Sequence, residues 1–386
     1  MTIVRAQTLH LRIPLALDYA HQRNRFANAE SLLLLLEDDQ GHCGIGEAQP
    51  RPWVTGETMD EVFGELVTRQ HSLLGLVIDS LDDVRTRVDS LAFTLATRSG
   101  REHLATLCAF DTALLDLLGR RREQSVATLL GWPERGEFVP VLPVGQISEA
   151  TLARLLDWGR EHEVVDAKLR VGSDLPDILA RVARLREELG PLRFGVDANG
   201  TWSRETLLSF APALVEAGVS YVEQPLPAGR ELELAELRKQ IPAALKISLD
   251  ESLCTLDEVR ACHRLGACDL YTLKVGKHGG LLRAGAIADY LRANELPIMI
   301  STHVAESALL EQAGLMLARR VAQPWNFELG YSSTLLRDLA VIPDPGRPGI
   351  GVRLDEAALD RWTVRRGVAE SSMNLMMDPD LDLDAD

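Results

Sequence analysis

Between residues 139 and 330 one pattern recurs: a short aliphatic run ends in a polar residue, and an amphipathic stretch of helix length follows. The runs cover 139–147, 164–171, 192–199, 220–225, 245–251, 270–276, 297–303 and 326–330. Their polar tips fall at Arg170, Asp197, Glu223, Asp250, Lys274, His303 and Glu328, with spacings of 27, 26, 27, 24, 29 and 25 residues. Each spacing is one βα unit. The intervening segments have helical periodicity. In 173–190, Ile178, Leu179, Val182, Leu185 and Leu189 share a face, Ser173 or Asp174 can cap the start, and Gly190 can end it. Eight such units over roughly 200 residues fit a closed barrel better than an open doubly wound sheet. The open sheet would want a Gly-rich phosphate turn after an early strand, and the sequence has none.

The first 130 or so residues do not follow this rhythm. Segments 4–12 and 31–37 pattern as strands around an Asp38-Asp39-Gln40-Gly41 turn, and helical stretches run from Thr58 to Leu118. Beyond residue 343 the chain is turn-rich, then helical around 356–359. The expected architecture is therefore α/β: a TIM-type (β/α) barrel with an α+β N-terminal capping domain. The cap takes residues 1–135 and is closed by residues 345–377, the barrel takes 136–344, and 378–386 is an acidic disordered tail.

Composition removes several function classes. Lys plus Arg is 41 and Asp plus Glu is 57, a net charge of −16, far from the basic surface that nucleic-acid binding requires. The longest apolar run, 32–36, is strand length and far short of a membrane span. The N-terminus lacks a signal-peptide apolar stretch, and five cysteines without a CxxC pair suit free buried thiols in a cytoplasmic protein.

The polar tips lie at the C-terminal rim of the barrel, where such folds keep their chemistry. Three successive tips, Asp197, Glu223 and Asp250, are carboxylates on adjacent strands. Close together they would repel one another and raise their own pKa values, unless a hard cation neutralised them. Mg²⁺ takes carboxylate oxygens and keeps positions open for water or substrate, and no other neutralising group is expected as close. Cations flank the cluster. Lys168 and Arg170 alternate onto the same side of one strand, and another ends Lys274-Val275-Gly276-Lys277-His278-Gly279-Gly280. A lysine beside a metal is expected to have a lowered pKa and to serve as a base. Such a base facing a metal-bound carboxylate suits proton abstraction α to that carboxylate. The Gly279-Gly280 pair reads as a turn rather than a phosphate cradle.

With these residues in place the chain resembles the enolase superfamily, within it the mandelate racemase/muconate lactonizing enzyme family and its muconate-lactonizing-enzyme-like subgroup. The likeness also rests on Gly44-Ile45-Gly46-Glu47-Ala48, on Thr55-Gly56-Glu57-Thr58 and on the stretch Pro345-Gly346-Arg347-Pro348-Gly349-Ile350-Gly351-Val352. It implies that Asp197, Glu223 and Asp250 ligate Mg²⁺ (or Mn²⁺), that Lys274 is the acid/base, and that Lys168 is the first lysine of a Lys-x-Lys pair. Arg170 departs from the pattern by standing where the second lysine, usually an acid/base, would be. A guanidinium stays protonated and serves as a clamp rather than a shuttle. Asn199 and Glu251 follow two of the ligands and suit supporting roles.

The resemblance also makes segments 18–28 and 48–58 loops over the barrel mouth. Arg23, Arg25 and Trp53 then become substrate contacts, and Glu306 matches a family carboxylate. His303 reads as a base, a substrate contact or a structural hydrogen-bonding group, and Glu328 either recognises a substrate group or ends its strand. The implied activity is a cycloisomerase or an o-succinylbenzoate-synthase-like syn-dehydratase acting on a small carboxylate-bearing substrate, in a cytoplasmic homo-oligomer. The alternatives are an N-acyl amino acid racemase or dipeptide epimerase, and, in another class, a non-catalytic barrel binding protein.

Overall fold

Three N-terminal strands, β1 (Ile3–His21), β2 (Asn24–Asp38) and β3 (Cys43–Ala48), pair antiparallel. The leucine run 32–36 lies in the middle strand, β2, where Leu32, Leu33, Leu34 and Leu36 are fully buried. The turn after β2 forms as expected, with Gly41 at φ +83° and its N–H donating to Asp38 O at 3.0 Å. The structure, a computed structural model, describes residues 2–21, 24–94, 102–328 and 331–371. The acidic tail 378–386 and Arg23 lie outside the described residues, as does the side chain of Arg25. Within segment 18–28 the described residues, 18–21 and 24–28, are not a loop but the far ends of the paired strands β1 and β2, with Tyr19 opposite Phe26 and His21 opposite Asn24. Strand pairing satisfies backbone groups that a loop leaves to water.

Helices α1 (Met59–Gln70), α2 (Leu81–Thr94), α3 (Leu104–Arg121) and the single turn α4 (Val126–Leu129) follow. Thr58 starts α1 through a capping box with Glu61. The Gly-Ile-Gly of β3 has a packing cause. A Cβ on Gly44 or Gly46 would come within 2.4 or 2.0 Å of carbonyl oxygens of α3, so only glycine lets the strand lie this close to the helix.

The repeat then runs in order: β4 (Leu142–Val144), α5 (Glu149–Glu161), β5 (Asp166–Arg170), α6 (Leu175–Leu189), β6 (Arg193–Asp197), α7 (Arg204–Glu216) and β7 (Val219–Glu223). It continues with α8 (Glu231–Leu237), β8 (Lys246–Leu249), α9 (Leu256–Leu265), β9 (Leu270–Leu273), α10 (Leu281–Ala293), β10 (Ile298–Ile300) and α11 (Ala308–Val321). These strands form one parallel sheet in sequence order. Of the two candidate caps for α6, Asp174 is the one used, and Ile178, Val182 and Leu185 are its buried face. Of the expected eighth strand, 326–330, residues 329 and 330 lie outside the described residues, and the described part, 326–328, forms only a bridge. Phe327 pairs with Ile300 on one side and accepts from Val141 N at 2.9 Å on the other, so the sheet still curls into a TIM-type barrel. Among the described residues, no helix is long and apolar enough to cross a membrane.

The chain ends with α12 (Ser332–Leu335), the hairpin β11 (Val341–Pro343) and β12 (Val352–Leu354), α13 (Glu356–Trp362) and β13 (Thr363–Glu370). β13 pairs with β1, completing a four-stranded sheet. Buried carboxylates join this sheet and α3 to the barrel. Glu47 of β3 accepts from Ser307 N at 3.1 Å, at the start of α11. Asp111 of α3 accepts from Leu281 N at 2.6 Å and Leu282 N at 3.2 Å, at the start of α10. This arrangement explains Gly279-Gly280 as a turn: a Cβ on Gly280 would lie 2.3 Å from the Asp111 carboxylate, which already occupies the helix N-terminus.

Candidate active site

Parallel pairing sets the rim. Arg170 is the Cα partner of Asp197 across β5–β6, and Asp197 is the partner of Glu223 across β6–β7. Asp250 and Lys274 lie one residue beyond β8 and β9. All of these side chains are buried.

Each carboxylate has a cation. Arg170 Nη1 donates to Asp197 Oδ2 at 2.9 Å, and Lys168 Nζ lies 3.0 Å from Glu223 Oε2 and 2.6 Å from Glu328 Oε2. Lys274 Nζ is 2.5 Å from Asp250 Oδ2, and Lys277 Nζ is 2.9 Å from Asp250 Oδ1. The expectation that no other neutralising group stands as close therefore fails. Four cationic side chains do, and among the described residues no three His, Cys, Asp or Glu side chains converge as a ready metal cage. The physical reason is reach. Lysine and arginine stems on neighbouring strands extend far enough to pair with the carboxylates directly.

The self-repulsion expected of the cluster is partly present. Burial pushes the Glu223 carboxyl up to about 8, with Asp197 and Asp250 adding to the rise and Lys168 only partly offsetting it. Burial likewise pushes Glu251 up to about 7, reinforced by Asp250 and Asp197. Asp250 behaves oppositely: burial would raise it, but Lys274 and Lys277 hold it well below the usual carboxylate range. Burial pulls the Lys274 ammonium down, but the Asp250 charge outweighs that and raises it.

The donor set still fits a hard cation. It consists of carboxylate and amide oxygens, and Glu223 Oε1, Glu251 Oε2 and Asn199 Oδ1 are buried without a hydrogen-bond partner. Asn199 is fixed here by its N–H and Nδ2, which donate to Asp197 at 2.9 and 3.0 Å. Gln224, which the sequence did not single out, accepts from Asp250 N and Ser252 N at 3.1 and 3.2 Å and shapes the β8 tip.

A cleft opens over these residues, with Arg170, Asp250 and Lys274 in its floor and Trp53, Arg51 and His303 in its wall. Trp53 thus reaches the cleft from the 48–58 segment, under the Arg51 guanidinium at 6.0 Å from the ring centroid. Arg51 was missed, although its position two residues before Trp53 was a usable signal. It donates to Val304 O at 2.9 Å and ties this segment to the barrel. His303 lines the cleft beside Lys274, its ring held well below the ordinary histidine range by burial, Lys274 and Arg51. Glu306 accepts from His303 N at 2.9 Å and shapes that turn. Glu328 accepts from Ser301 Oγ as well as pairing with Lys168, and so buttresses the lysine.

The enolase C-terminal domain-like family model matches residues 151–358, more than half of the chain. The protein belongs to this family. It is an enolase-superfamily member of the mandelate racemase/muconate lactonizing enzyme family. It is 28% identical to muconate cycloisomerase 1 of Rhodococcus opacus, over 94% of this chain and 99% of that protein. With the L-Lys-D/L-Arg epimerase of Methylococcus capsulatus it shares 29% identity, over 91% of this chain and 99% of the epimerase. Its fold superposes on the crystal structure of the N-succinyl Arg/Lys racemase from Bacillus cereus with a TM-score of 0.83 at 21% identity, covering 96% of this chain and all of that one.

Proposed function

We propose that this enolase-superfamily enzyme uses Mg²⁺, or Mn²⁺ in its place, to remove a proton α to a substrate carboxylate, with Lys274 as the acid/base. Asp197, Glu223 and Asp250 would hold the cation, which when bound supplies positive charge at the substrate carboxylate. One observation carries the choice of reaction. Lys274 and Arg170 line the cleft, whereas Lys168 is 1% exposed and clamped between Glu223 and Glu328. Arg170 keeps its proton and orients Asp197, so only one face of the substrate has a competent proton carrier. That arrangement favours a cycloisomerase or an o-succinylbenzoate-synthase-like syn-dehydratase, where one proton moves on one face. The second reading, an N-acyl amino acid racemase or dipeptide epimerase, is supported by the similarity to the Methylococcus capsulatus epimerase. A non-catalytic barrel has no support from the intact Asp, Glu, Asp and Lys set.

The same reading makes residues 1–135 with 345–377 a cap over the 136–344 barrel, and the protein a cytoplasmic homo-oligomer acting on a small carboxylate-bearing compound. Solvent-deuterium exchange at the α-carbon tests the chemistry. Lys274→Ala should lower turnover and exchange by at least about 10³-fold, the scale of a lost acid/base. Arg170→Lys should keep exchange measurable. Exchange that survives Lys274→Ala and vanishes in Arg170→Lys would reverse the two roles.

A further inference from the structure

Lys277 sits in the turn after β9 and is fully buried. Its Nζ has three acceptors: Asp250 O at 2.7 Å, Thr272 O at 2.8 Å and Asp250 Oδ1 at 2.9 Å. An ammonium has three N–H donors, so none is left over for water or substrate. The other oxygen of the same carboxylate, Oδ2, takes Lys274 at 2.5 Å. Two lysines three residues apart thus hold one carboxylate, one on each oxygen. They are not equivalent, because Lys274 lines the cleft and Lys277 lies behind it. The turn itself is pinned: Lys277 N donates to Lys274 O at 3.2 Å, and His278 Nδ1 lies 2.9 Å from Cys254 O. A ligand in the cleft can take Oδ2 from Lys274. Taking Oδ1 from Lys277 would strand a buried ammonium, a large penalty.

We propose that Lys277 is a positioning residue that keeps Asp250 Oδ1 occupied, so that Asp250 offers a cation Oδ2 alone, and that this sets a preference for Mg²⁺ over Ca²⁺. The inference rests on the cation site proposed above. Mg²⁺ is small, takes near-ideal octahedral geometry and loses nothing when a carboxylate binds through one oxygen. Ca²⁺ takes six to eight oxygens and often uses carboxylates through both, so an occupied Oδ1 removes a ligand from Ca²⁺ only. Lys277 also keeps the Asp250 side chain from rotating, since one Nζ bridges its carboxylate and its own carbonyl.

The test is calorimetric titration of Mg²⁺ and Ca²⁺ separately into the wild-type chain and Lys277→Met, with folding checked by circular dichroism. Removing a positive charge strengthens both cations alike, so the ratio of the two affinities is the readout. In Lys277→Met the Ca²⁺-to-Mg²⁺ affinity ratio should rise about tenfold or more, the usual reach of a residue that orients a ligand. Should Lys277→Met not fold, the ratio is read on Lys277→Gln, where it should rise as well. An unchanged ratio in the folded variant overturns the role of Lys277 while leaving the cation site standing. A wild-type chain that binds neither cation overturns both.

Discussion

Buried carboxylates occur in two regions of this molecule, and their partners differ. At the barrel rim Asp197, Glu223 and Asp250 are met by side-chain cations, Arg170, Lys168, Lys274 and Lys277. At the seam between the N-terminal elements and the barrel, no cation among the described residues does this for Glu47 or Asp111. They are met by main-chain N–H groups at the starts of α11 and α10, and Glu47 also by the hydroxyl of the capping Ser307. Asp116 of α3 combines both kinds, accepting from Ile45 N and Ile350 N at 2.8 Å and from Arg120 Nε at 2.7 Å. A side-chain partner can rotate away and yield its place to a cation or substrate, whereas a helix N-terminus cannot move without unfolding its first turn. Equal burial therefore supports opposite uses: an adjustable site at the rim and a fixed joint at the seam.

The largest effect expected at the seam follows from Asp116. Asp116→Ala leaves Arg120 Nε and two buried N–H groups without their acceptor and the guanidinium charge without its counter-ion, and should destabilise the fold by about 3–5 kcal/mol, as for other broken buried pairs. Denaturant unfolding measures it. A loss below 1 kcal/mol, roughly the scale of an exposed ion pair, would erase the distinction between the two regions.

Much of this architecture was legible in the chain because a barrel repeats. The spacing of polar tips placed Arg170, Asp197, Glu223, Asp250 and Lys274 on one rim, and helix periodicity located α6 and narrowed its cap to Ser173 or Asp174. What was not legible depends on contacts between distant residues or on side-chain reach. β13 pairs with β1 from more than 350 residues away, and nothing local to residues 363–370 announces that partner. Alternation puts Lys168 and Arg170 on one side of β5 but does not say that Glu223 and Glu328 would hold Lys168 back from the cleft. Lys277 lies in a turn, where no period applies, so its three hydrogen bonds to the β8–β9 region had no signature beyond its spacing from Lys274.

A smaller effect sharpens the comparison through pH. Burial pushes the Glu47 carboxyl from its ordinary 4.5 up to about 7, against the hydrogen bonds from Ser307. A group whose folded pKa lies above its unfolded value contributes stability that is complete below the unfolded pKa and lost as pH rises to the folded one. Glu47 therefore costs the wild type stability between pH 4.5 and about 7, and no more above that. In Glu47→Gln that loss disappears, so the variant should gain on the wild type through this window and run parallel to it above. Thermal melts across pH 4.5–8 measure the difference, and a gap that stays constant throughout the window would mean that Glu47 stays ionised in the joint.

The proposed cation site at the rim is tested most directly by calorimetric titration of Mg²⁺ into the wild type and Glu223→Gln. Glu223 is the middle carboxylate of the three, and its Oε1 is buried without a partner. The wild type should bind one Mg²⁺, and Glu223→Gln should bind it at least about tenfold more weakly, the scale on which metal sites respond to perturbation. Equal Mg²⁺ affinity in the two proteins would contradict the assignment of this rim as the metal site.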